Sequence, residues 1–83
     1  MTNITTAEIS QNLCKFISEN LVAPGVIVEA ESPLELLGLD SFSIIEIILF
    51  IERRYGLTLP DMELTKENIY SPSSLANCIF KYI

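Results

Sequence analysis

The segment between Asp40 and Gly56 constrains the fold more than any other part of this chain. It reads SFSIIEIILFIERRY and is apolar on nearly every side when its residues are placed at helical spacing. Asp40 is a strong N-cap residue, and Gly56 after Tyr55 is a common helix stop. A surface helix has one apolar stripe, so a helix that is apolar all round must touch several neighbours. We therefore predict a central helix over 41–55 within a small helical bundle.

Two further helices are predicted near the ends of the chain from caps and apolar spacing. Thr5, with Glu8 three residues later, forms a capping-box pattern that opens a helix ending near Asn20. Ser71 before Pro72 gives the last helix an N-cap with proline in its first turn. The apolar faces comprise Ile9, Leu13, Phe16 and Ile17 in the first helix, and Leu75, Ile79 and Tyr82 in the last.

Two shorter elements are predicted in the connecting segments. After Pro24-Gly25, the pair Ser32-Pro33 repeats the capping pattern and predicts a single helical turn through Leu37 within a long first loop. Thr65 is predicted to cap a short helix over residues 66–70. A connection as long as the first loop is expected to pack against the rest of the domain.

Strand-like composition occurs in residues 26–28 and 57–59. Two such segments make a marginal sheet, so we interpret both as extended loop and keep an α+β fold as the minority alternative. The predicted fold is all-α: a small four-helix bundle with three main helices, one short helix and a long first loop. At this length there is room for one hydrophobic core, so residues 1–83 are predicted to form a single domain.

The charge balance limits the classes of partner. Five Lys and Arg residues stand against eleven Asp and Glu residues, for a net charge of −6, and histidine is absent. An acidic surface repels phosphate backbones and anionic lipids, so we expect basic proteins as partners and no nucleic acid. Without histidine we expect no enzyme and no metal site. The longest apolar stretch, residues 44–51, contains Glu46 and is far shorter than the ~20 residues of a membrane span, so no membrane insertion is expected.

The cysteines favour a reducing compartment. Cys14 and Cys78 lie 64 positions apart in apolar helical segments, without the close spacing of a redox or metal motif. We interpret them as reduced core residues, which favours the cytoplasm. The N-terminus lacks the basic start and apolar core of a signal peptide, which agrees with that location.

Ser41 is the residue to which a chemical role is most readily assigned. It follows the N-cap Asp40 at the positive end of the predicted central helix. Backbone N–H groups at a helix start favour a phosphate ester on such a serine. We expect Ser41 to be exposed and Phe42 beside it to turn toward the core. The alternative is that Asp40-Ser41 is only a helix cap.

The wider pattern around Ser41 carries a family resemblance. The residues concerned are Leu37-Gly38-Leu39-Asp40-Ser41-Phe42, Glu46, Glu52, Tyr55-Gly56, Leu59-Pro60 and the helix start Ser71-Pro72. In this order and spacing the chain resembles the acyl carrier proteins, members of the phosphopantetheine-binding carrier family, from about residue 7 to its C-terminus. That family shares an Asp-Ser-Leu motif, a glutamate shortly after the serine and an aromatic-Gly turn that ends the helix.

The resemblance implies a monomeric four-helix bundle with no catalytic activity of its own. It implies that a phosphopantetheinyl transferase attaches 4′-phosphopantetheine from coenzyme A to Ser41, while Asp40 helps to hold magnesium in that complex. No metal should remain on the isolated carrier. Acyl intermediates would be carried as thioesters on this arm to synthases, ligases and transferases with basic docking patches, in fatty-acid or specialised lipid or polyketide biosynthesis.

The resemblance also implies that the helix beginning at Ser41 is the main docking surface. The candidate contacts are Phe42, Glu46, Leu49 and Glu52, with Ile44 as a further apolar candidate. The chain departs from the family pattern at Phe42, where leucine is usual, at Ser43, a commonly acidic position, and at Arg53-Arg54, where acidic residues are usual. These departures keep a specialised pathway open as an alternative to standard fatty-acid synthesis.

Two other functions remain open at this point. One is a carrier of an aminoacyl or peptidyl unit such as D-alanyl, and the other is an unmodified helical interaction module. An excess of apolar residues favours an alkyl cargo folded back into the bundle. The predicted lining for that cargo is Ile45, Ile47, Ile48, Ile51, Leu75 and Ile79.

Overall fold

The computed structural model describes residues 4–83 and contains three α-helices. These are α1 (Thr6–Asn20), α2 (Ser41–Tyr55) and α3 (Pro72–Phe80), with short 3-10 helices at Leu34–Leu37 and Asp61–Glu63. Residues 4–83 contain no β-strand, so the all-α prediction is confirmed and the α+β alternative is wrong. Residues 1–3, on which the signal-peptide expectation partly depends, lie outside the described residues.

The helices begin at the predicted caps. At the start of α2, Asp40 Oδ1 accepts the Ser43 N–H at 2.9 Å. Thr5 and Ser71 cap α1 and α3 in the same way, each accepting the backbone N–H three residues later. Helix α2 ends at Gly56, whose φ of +65° lies in the left-handed region that favours glycine. The predicted starts of all three helices, and the predicted end of α2, are thus set by local capping chemistry.

One apolar core joins the three helices. Its fully buried members include Ile9, Leu13 and Ile17 from α1, Ile47 and Ile51 from α2, and Leu75 and Ile79 from α3. Helix α1 packs much more extensively against α3 than against α2. Between α1 and α2, the Phe16 and Phe50 rings stack with centroids 4.3 Å apart. Nearby, Asn12 Nδ2 donates a hydrogen bond to Tyr55 Oη at 3.0 Å.

The second half of the long first loop packs against the start of α3, so the prediction that the loop packs on the domain holds for this part, whereas Ile27 and Leu36 are exposed. The Leu34 N–H donates to the Tyr70 carbonyl at 2.9 Å, and the Ser73 N–H donates to the Ala30 carbonyl at 2.8 Å. Leu34 is buried in the core, within the single helical turn that the sequence predicted. These bonds hold the segment before α2 beside the segment before α3.

The short helix predicted over 66–70 is instead a hydrogen-bonded turn. Thr65 does cap it, because its hydroxyl accepts the Asn68 N–H at 3.2 Å and its carbonyl accepts the Ile69 N–H at 3.0 Å. Pro72 explains why no helix continues: the residue before a proline is pushed toward extended backbone, and Ser71 has φ −149° and ψ 167°.

Tyr82 is not part of the apolar face of α3, contrary to the prediction. Helix α3 ends at Phe80, and Tyr82 lies beyond it, exposed. Its hydroxyl donates to Glu63 Oε2, and Lys81 Nζ donates to Glu63 Oε1 at 3.2 Å. A phenol hydroxyl prefers such a carboxylate to an apolar core in which it has no partner.

Candidate functional site

Ser41 is the first residue of α2 and is exposed. Within residues 4–83 its hydroxyl has no hydrogen-bond partner, so the oxygen is accessible for reaction. Asp40 beside it caps the helix. The bond from the Ser43 N–H, with neighbouring backbone N–H groups, holds the pKa of the Asp40 carboxyl below its usual value. An ionised carboxylate therefore adjoins an accessible hydroxyl at the positive end of a helix.

A cavity of about 570 Å³ opens beside Ser41. It forms between the 3-10 helix Leu34–Leu37, the first turns of α2 and the turn at 66–70. Its lining is Leu34, Glu35, Leu39, Asp40, Ser41, Ile44, Ile45, Lys66, Ile69 and Tyr70. The volume lies within the range of small-molecule pockets, and the walls combine aliphatic side chains with a few polar groups.

This cavity differs from the lining predicted for an alkyl cargo. Of the six residues proposed for that lining, only Ile45 borders it. Ile47, Ile51, Leu75 and Ile79 are fully buried in the closed core instead. The cavity is thus a separate space at the Ser41 end of the molecule, and a cargo can enter it without opening the core.

Phe42 lies on the outward face of α2 with 71% of its surface exposed, so the expectation that it turns toward the core is wrong. Helix α2 carries two apolar stripes with the same spacing. The inward stripe is Ile44, Ile47 and Ile51, and the outward stripe is Phe42, Ile45 and Leu49. The inward stripe packs into the core, whereas the three outward residues stay largely exposed and form an apolar strip that begins next to Ser41.

The two glutamates predicted for docking occupy different surroundings. Glu46 is half-buried and lies near Leu49 on the outward side of α2. Glu52 Oε2 accepts the Leu59 N–H at 3.2 Å and so fastens the segment after α2 to the helix. Phe42, Glu46 and Leu49 thus share one surface, whereas Glu52 already has a structural role.

A groove between α1 and α2 was not predicted from the sequence. It has a volume of about 350 Å³ and is lined by Phe16, Glu46, Leu49, Phe50, Arg53 and Arg54. We call it the α1–α2 groove. The signal for it was present in the unusual arginine pair, but the contribution of Phe16 comes from another helix and depends on tertiary packing.

Within residues 4–83 neither cysteine forms a disulfide; Cys78 is buried and Cys14 is half-buried. Burial, with a smaller contribution from the charge of Glu29, raises the pKa of the Cys14 thiol. Burial also raises the pKa of the Cys78 thiol, and Glu63 adds to the effect. Among the described residues, no group of three or more His, Cys, Asp or Glu side chains could hold a metal ion.

The family described as "phosphopantetheine attachment site" matches residues 11–79. The chain belongs to this phosphopantetheine-attachment family. The acyl carrier protein of Zymomonas mobilis is 34% identical over 61 residues, covering 72% of this chain and 78% of the relative. That of Rickettsia typhi is 35% identical over 63 residues, covering 75% of this chain and 73% of the relative.

Solved structures show the same fold. One similar chain comes from the crystal structure of the Bradyrhizobium japonicum glycine:[carrier protein] ligase complexed with glycylated carrier protein. The likeness has a TM-score of 0.71 at 25% identity and covers 88% of this chain and 96% of that one. A second structure, of that ligase with its cognate carrier protein and a glycyl adenylate analogue, gives a TM-score of 0.73 at 24% identity. It covers 92% of this chain and 96% of that one, and it supports the fold alone.

As a member of the phosphopantetheine-attachment family, the chain is a carrier protein and not an enzyme. Its prosthetic group is a covalently attached 4′-phosphopantetheine. The residues at the start of α2 fit such a group, because a phosphodiester requires an accessible hydroxyl and an arm requires adjacent space. Across residues 4–83, no helix is both long and apolar enough to cross a membrane.

Proposed function

We propose that Ser41 carries the 4′-phosphopantetheine and that the protein delivers acyl groups to partner enzymes. The observation that carries this proposal is the accessible Ser41 hydroxyl at the mouth of the 570 Å³ cavity. When bound, the group supplies a flexible arm ending in a thiol, on which acyl groups travel as thioesters. A tethered cargo stays at high effective concentration near each docked active site.

The residues at the start of α2 have separate roles in attachment. Ser41 Oγ forms a bond to the phosphorus of coenzyme A that bears the pantetheine, while a base of the transferase takes the hydroxyl proton. The P–O bond between the two phosphates of the diphosphate breaks, and adenosine 3′,5′-bisphosphate leaves. The new phosphodiester lies at the N-terminus of α2, where the helix dipole stabilises negative charge. Asp40 is ionised and lies next to the reacting oxygen, where it can help to hold magnesium within the transferase complex.

The cavity lining supports an acyl cargo. Leu34, Leu39, Ile44, Ile45 and Ile69 supply aliphatic walls. Withdrawing a methylene from water contributes up to about 0.8 kcal/mol, so even a few buried methylenes favour a chain that lies in this cavity. The names of the curated relatives agree with this cargo class.

An aminoacyl cargo is the second candidate, and two observations favour it. The similar carrier chain seen with the glycine ligase is described as glycylated. Glu35 also borders the cavity and could pair with the ammonium group of an aminoacyl thioester. Competition between fatty-acyl and aminoacyl loading enzymes for the modified protein distinguishes the two cargoes.

We further propose that partner enzymes, among them the phosphopantetheinyl transferase and acyl synthases, ligases or transferases, dock on the outward face of α2. Phe42 and Leu49 offer exposed apolar contacts, and Glu46 offers a carboxylate for a basic patch. Glu52 is a weaker candidate because its carboxylate is bonded to the Leu59 N–H. We also propose that the protein is a cytoplasmic monomer; the free thiols support the compartment.

Intact-mass spectrometry after incubation with coenzyme A, magnesium and a promiscuous phosphopantetheinyl transferase tests the attachment site. The wild-type chain should gain one phosphopantetheine, and Ser41→Ala should gain none. Ser43→Ala is the matched control, because that serine lies on the same turn but is half-buried, and this variant should be modified like the wild type. Modification of Ser41→Ala, or no modification of the folded wild type, would overturn the proposal.

A further inference from the structure

The α1–α2 groove differs in charge from the rest of the molecule. The chain has five Lys and Arg residues and a net charge of −6. Arg53 and Arg54 border the groove, and Lys15 joins Arg54 around an adjoining cavity of about 230 Å³. The only carboxylates bordering these two spaces are Glu46 and Glu19. Three cations against two carboxylates leave a net positive patch on a strongly acidic protein.

The arginines have charge available for a partner. Within residues 4–83 the only ion pair joins Lys81 to Glu63, so neither Arg53 nor Arg54 is paired there, and both side chains are exposed. Their position in the last turn of α2 also complements the helix dipole. That role requires only proximity to the helix end, whereas both arginines also line the groove together with Phe16 and Phe50.

The groove also has the apolar content of a protein contact. The stacked Phe16 and Phe50 rings line it, and so does Leu49, which is 40% exposed. Glu46 and Leu49 belong both to this groove and to the outward face of α2. The groove is therefore continuous with the docking face proposed above, at its C-terminal end.

We propose that the α1–α2 groove binds an acidic segment of a partner enzyme, which inserts an apolar side chain over Phe16 and Phe50 and places carboxylates on Arg53 and Arg54. This inference rests on the carrier function proposed above. Glu46 and Arg53 are seven residues apart in α2, which is roughly 10 Å along the helix axis. The partner surface that fits thus alternates in charge, with a basic group for Glu46 and acidic groups roughly 10 Å away.

Two helical peptides provide a defined probe for this groove. Both peptides carry a central Phe with a Lys on one side. On the other side, the first peptide has two Asp residues, and the second has Asn at the same two positions. Binding is measured on the ¹⁵N-labelled, phosphopantetheine-loaded protein through its amide chemical shifts at low ionic strength. Sedimentation of the protein without peptide reports whether a second copy occupies the groove.

We expect the Asp peptide to bind the wild type roughly three- to tenfold more tightly than the Asn peptide, with shifts centred on Leu49, Phe50 and Arg53. The preference should shrink in Arg53→Gln and Arg54→Gln and persist in Lys81→Gln, which removes a cation outside both the groove and the cavity. A generally acidic surface without this site would favour the Asn peptide, because like charges repel.

Equal or weaker binding of the Asp peptide, no binding of either peptide, or shifts confined to other surfaces would overturn the inference. Self-association through groove residues would also overturn it in favour of a second copy. The mass of every variant after transferase treatment is measured first. A wild type that takes up no phosphopantetheine contradicts the proposed function, whereas a modified protein without peptide preference contradicts the groove alone.

Discussion

Asp40 and Ser41 are adjacent at the start of α2, but their different surroundings give them different chemical roles. Asp40 accepts the Ser43 N–H and is thereby fixed in one orientation as an ionised cap. Ser41, one position later, has no such partner within residues 4–83 and keeps its hydroxyl accessible. The side chain that caps the N-terminus of α2 therefore lies next to the one that is available for modification.

The two protein thiols should react slowly compared with the thiol of the attached arm. The pKa values of Cys14 and Cys78 are both raised by burial, so little thiolate is present near neutral pH. We expect iodoacetamide at about pH 7.5 to label the loaded protein rapidly at one thiol, as followed by intact mass. The unmodified protein and Ser41→Ala serve as controls and should lack the rapid phase; a rapid phase in either would contradict this prediction.

Reversal of charge at Glu46 should weaken association with the phosphopantetheinyl transferase. Glu46→Lys places a cation opposite a basic patch, which should reduce the association rate severalfold at low ionic strength and much less at high salt. Surface plasmon resonance over a salt series measures both effects. Glu31→Lys is the matched control, since it makes the same charge change on an exposed residue of the first loop. Equal effects of the two reversals would rule out a specific role for Glu46.

At the scale of elements, Glu63 connects the second 3-10 helix to the C-terminal end of the chain. Its carboxylate accepts from Lys81 Nζ, Tyr82 Oη and Asn68 Nδ2, and the Cys78 thiol lies 3.6 Å from Oε1. The Tyr82 and Lys81 bonds hold the pKa of Glu63 below its usual value. The bond to Glu63 raises the pKa of Tyr82 to about 12.

This linkage should stabilise the protein over a defined pH window. The pKa of Glu63 is lower in the folded protein than in the unfolded chain. Its bonds therefore add to the free energy of unfolding above the unfolded-state pKa, and this contribution is lost as pH falls through the folded-state pKa. The raised pKa of Tyr82 means that its contribution is complete below about pH 10 and is lost as pH rises toward 12. Thermal unfolding of wild type and Tyr82→Phe should therefore differ at pH 8 and converge near pH 12.

Phe80 supplies the control for this comparison. Phe80→Leu changes a nearby exposed aromatic residue without touching the Glu63 bonds. Its difference from the wild type should not depend on pH between 8 and 12. A Tyr82→Phe difference that is equally constant would show that the Tyr82 hydroxyl contributes nothing through Glu63.

Sequence patterns predicted the elements whose boundaries depend on local chemistry. Caps at Thr5, Asp40 and Ser71 were identified because each bonds to an N–H only three residues away. The buried face of α2 was harder to predict from the sequence, because its two apolar stripes have the same spacing. Only tertiary contacts decide which stripe is buried. The cavity could not be located either, because residues near Leu34 and Ile69 meet there from distant parts of the chain.

For the whole molecule, the cavity predicts how cargo changes stability. An octanoyl chain carried as a thioester on the arm of Ser41 can occupy existing space, so it should avoid much of the ~1–3 kcal/mol that overpacking a closed core costs. We expect the octanoyl form to unfold at a higher temperature than the bare-thiol form, with each 1 kcal/mol raising the midpoint by roughly 4–8 °C. Differential scanning calorimetry at one pH measures the midpoints, and the acetyl form should lie close to the bare-thiol form.

A variant of the cavity wall separates burial of the cargo from other effects. Ile45 borders the cavity but is 56% exposed, so Ile45→Gln should change the bare-thiol midpoint little while reducing the octanoyl increment. Equal midpoints for the bare, acetyl and octanoyl forms would mean that the cargo remains in solvent. That outcome would favour the aminoacyl alternative.

The unequal packing of α1 has a mechanical consequence. Helix α1 packs mainly against α3 and much less against α2, so α2 can shift relative to the α1–α3 pair with less loss of helix–helix packing than α1 or α3 could. Ser41, one wall of the cavity and the outward apolar stripe all belong to α2. Any displacement of α2 by a longer cargo therefore moves the attachment point and the docking surface together. The tilt of the docking surface would then depend on the length of the buried cargo, and a docked enzyme could distinguish cargoes by that tilt.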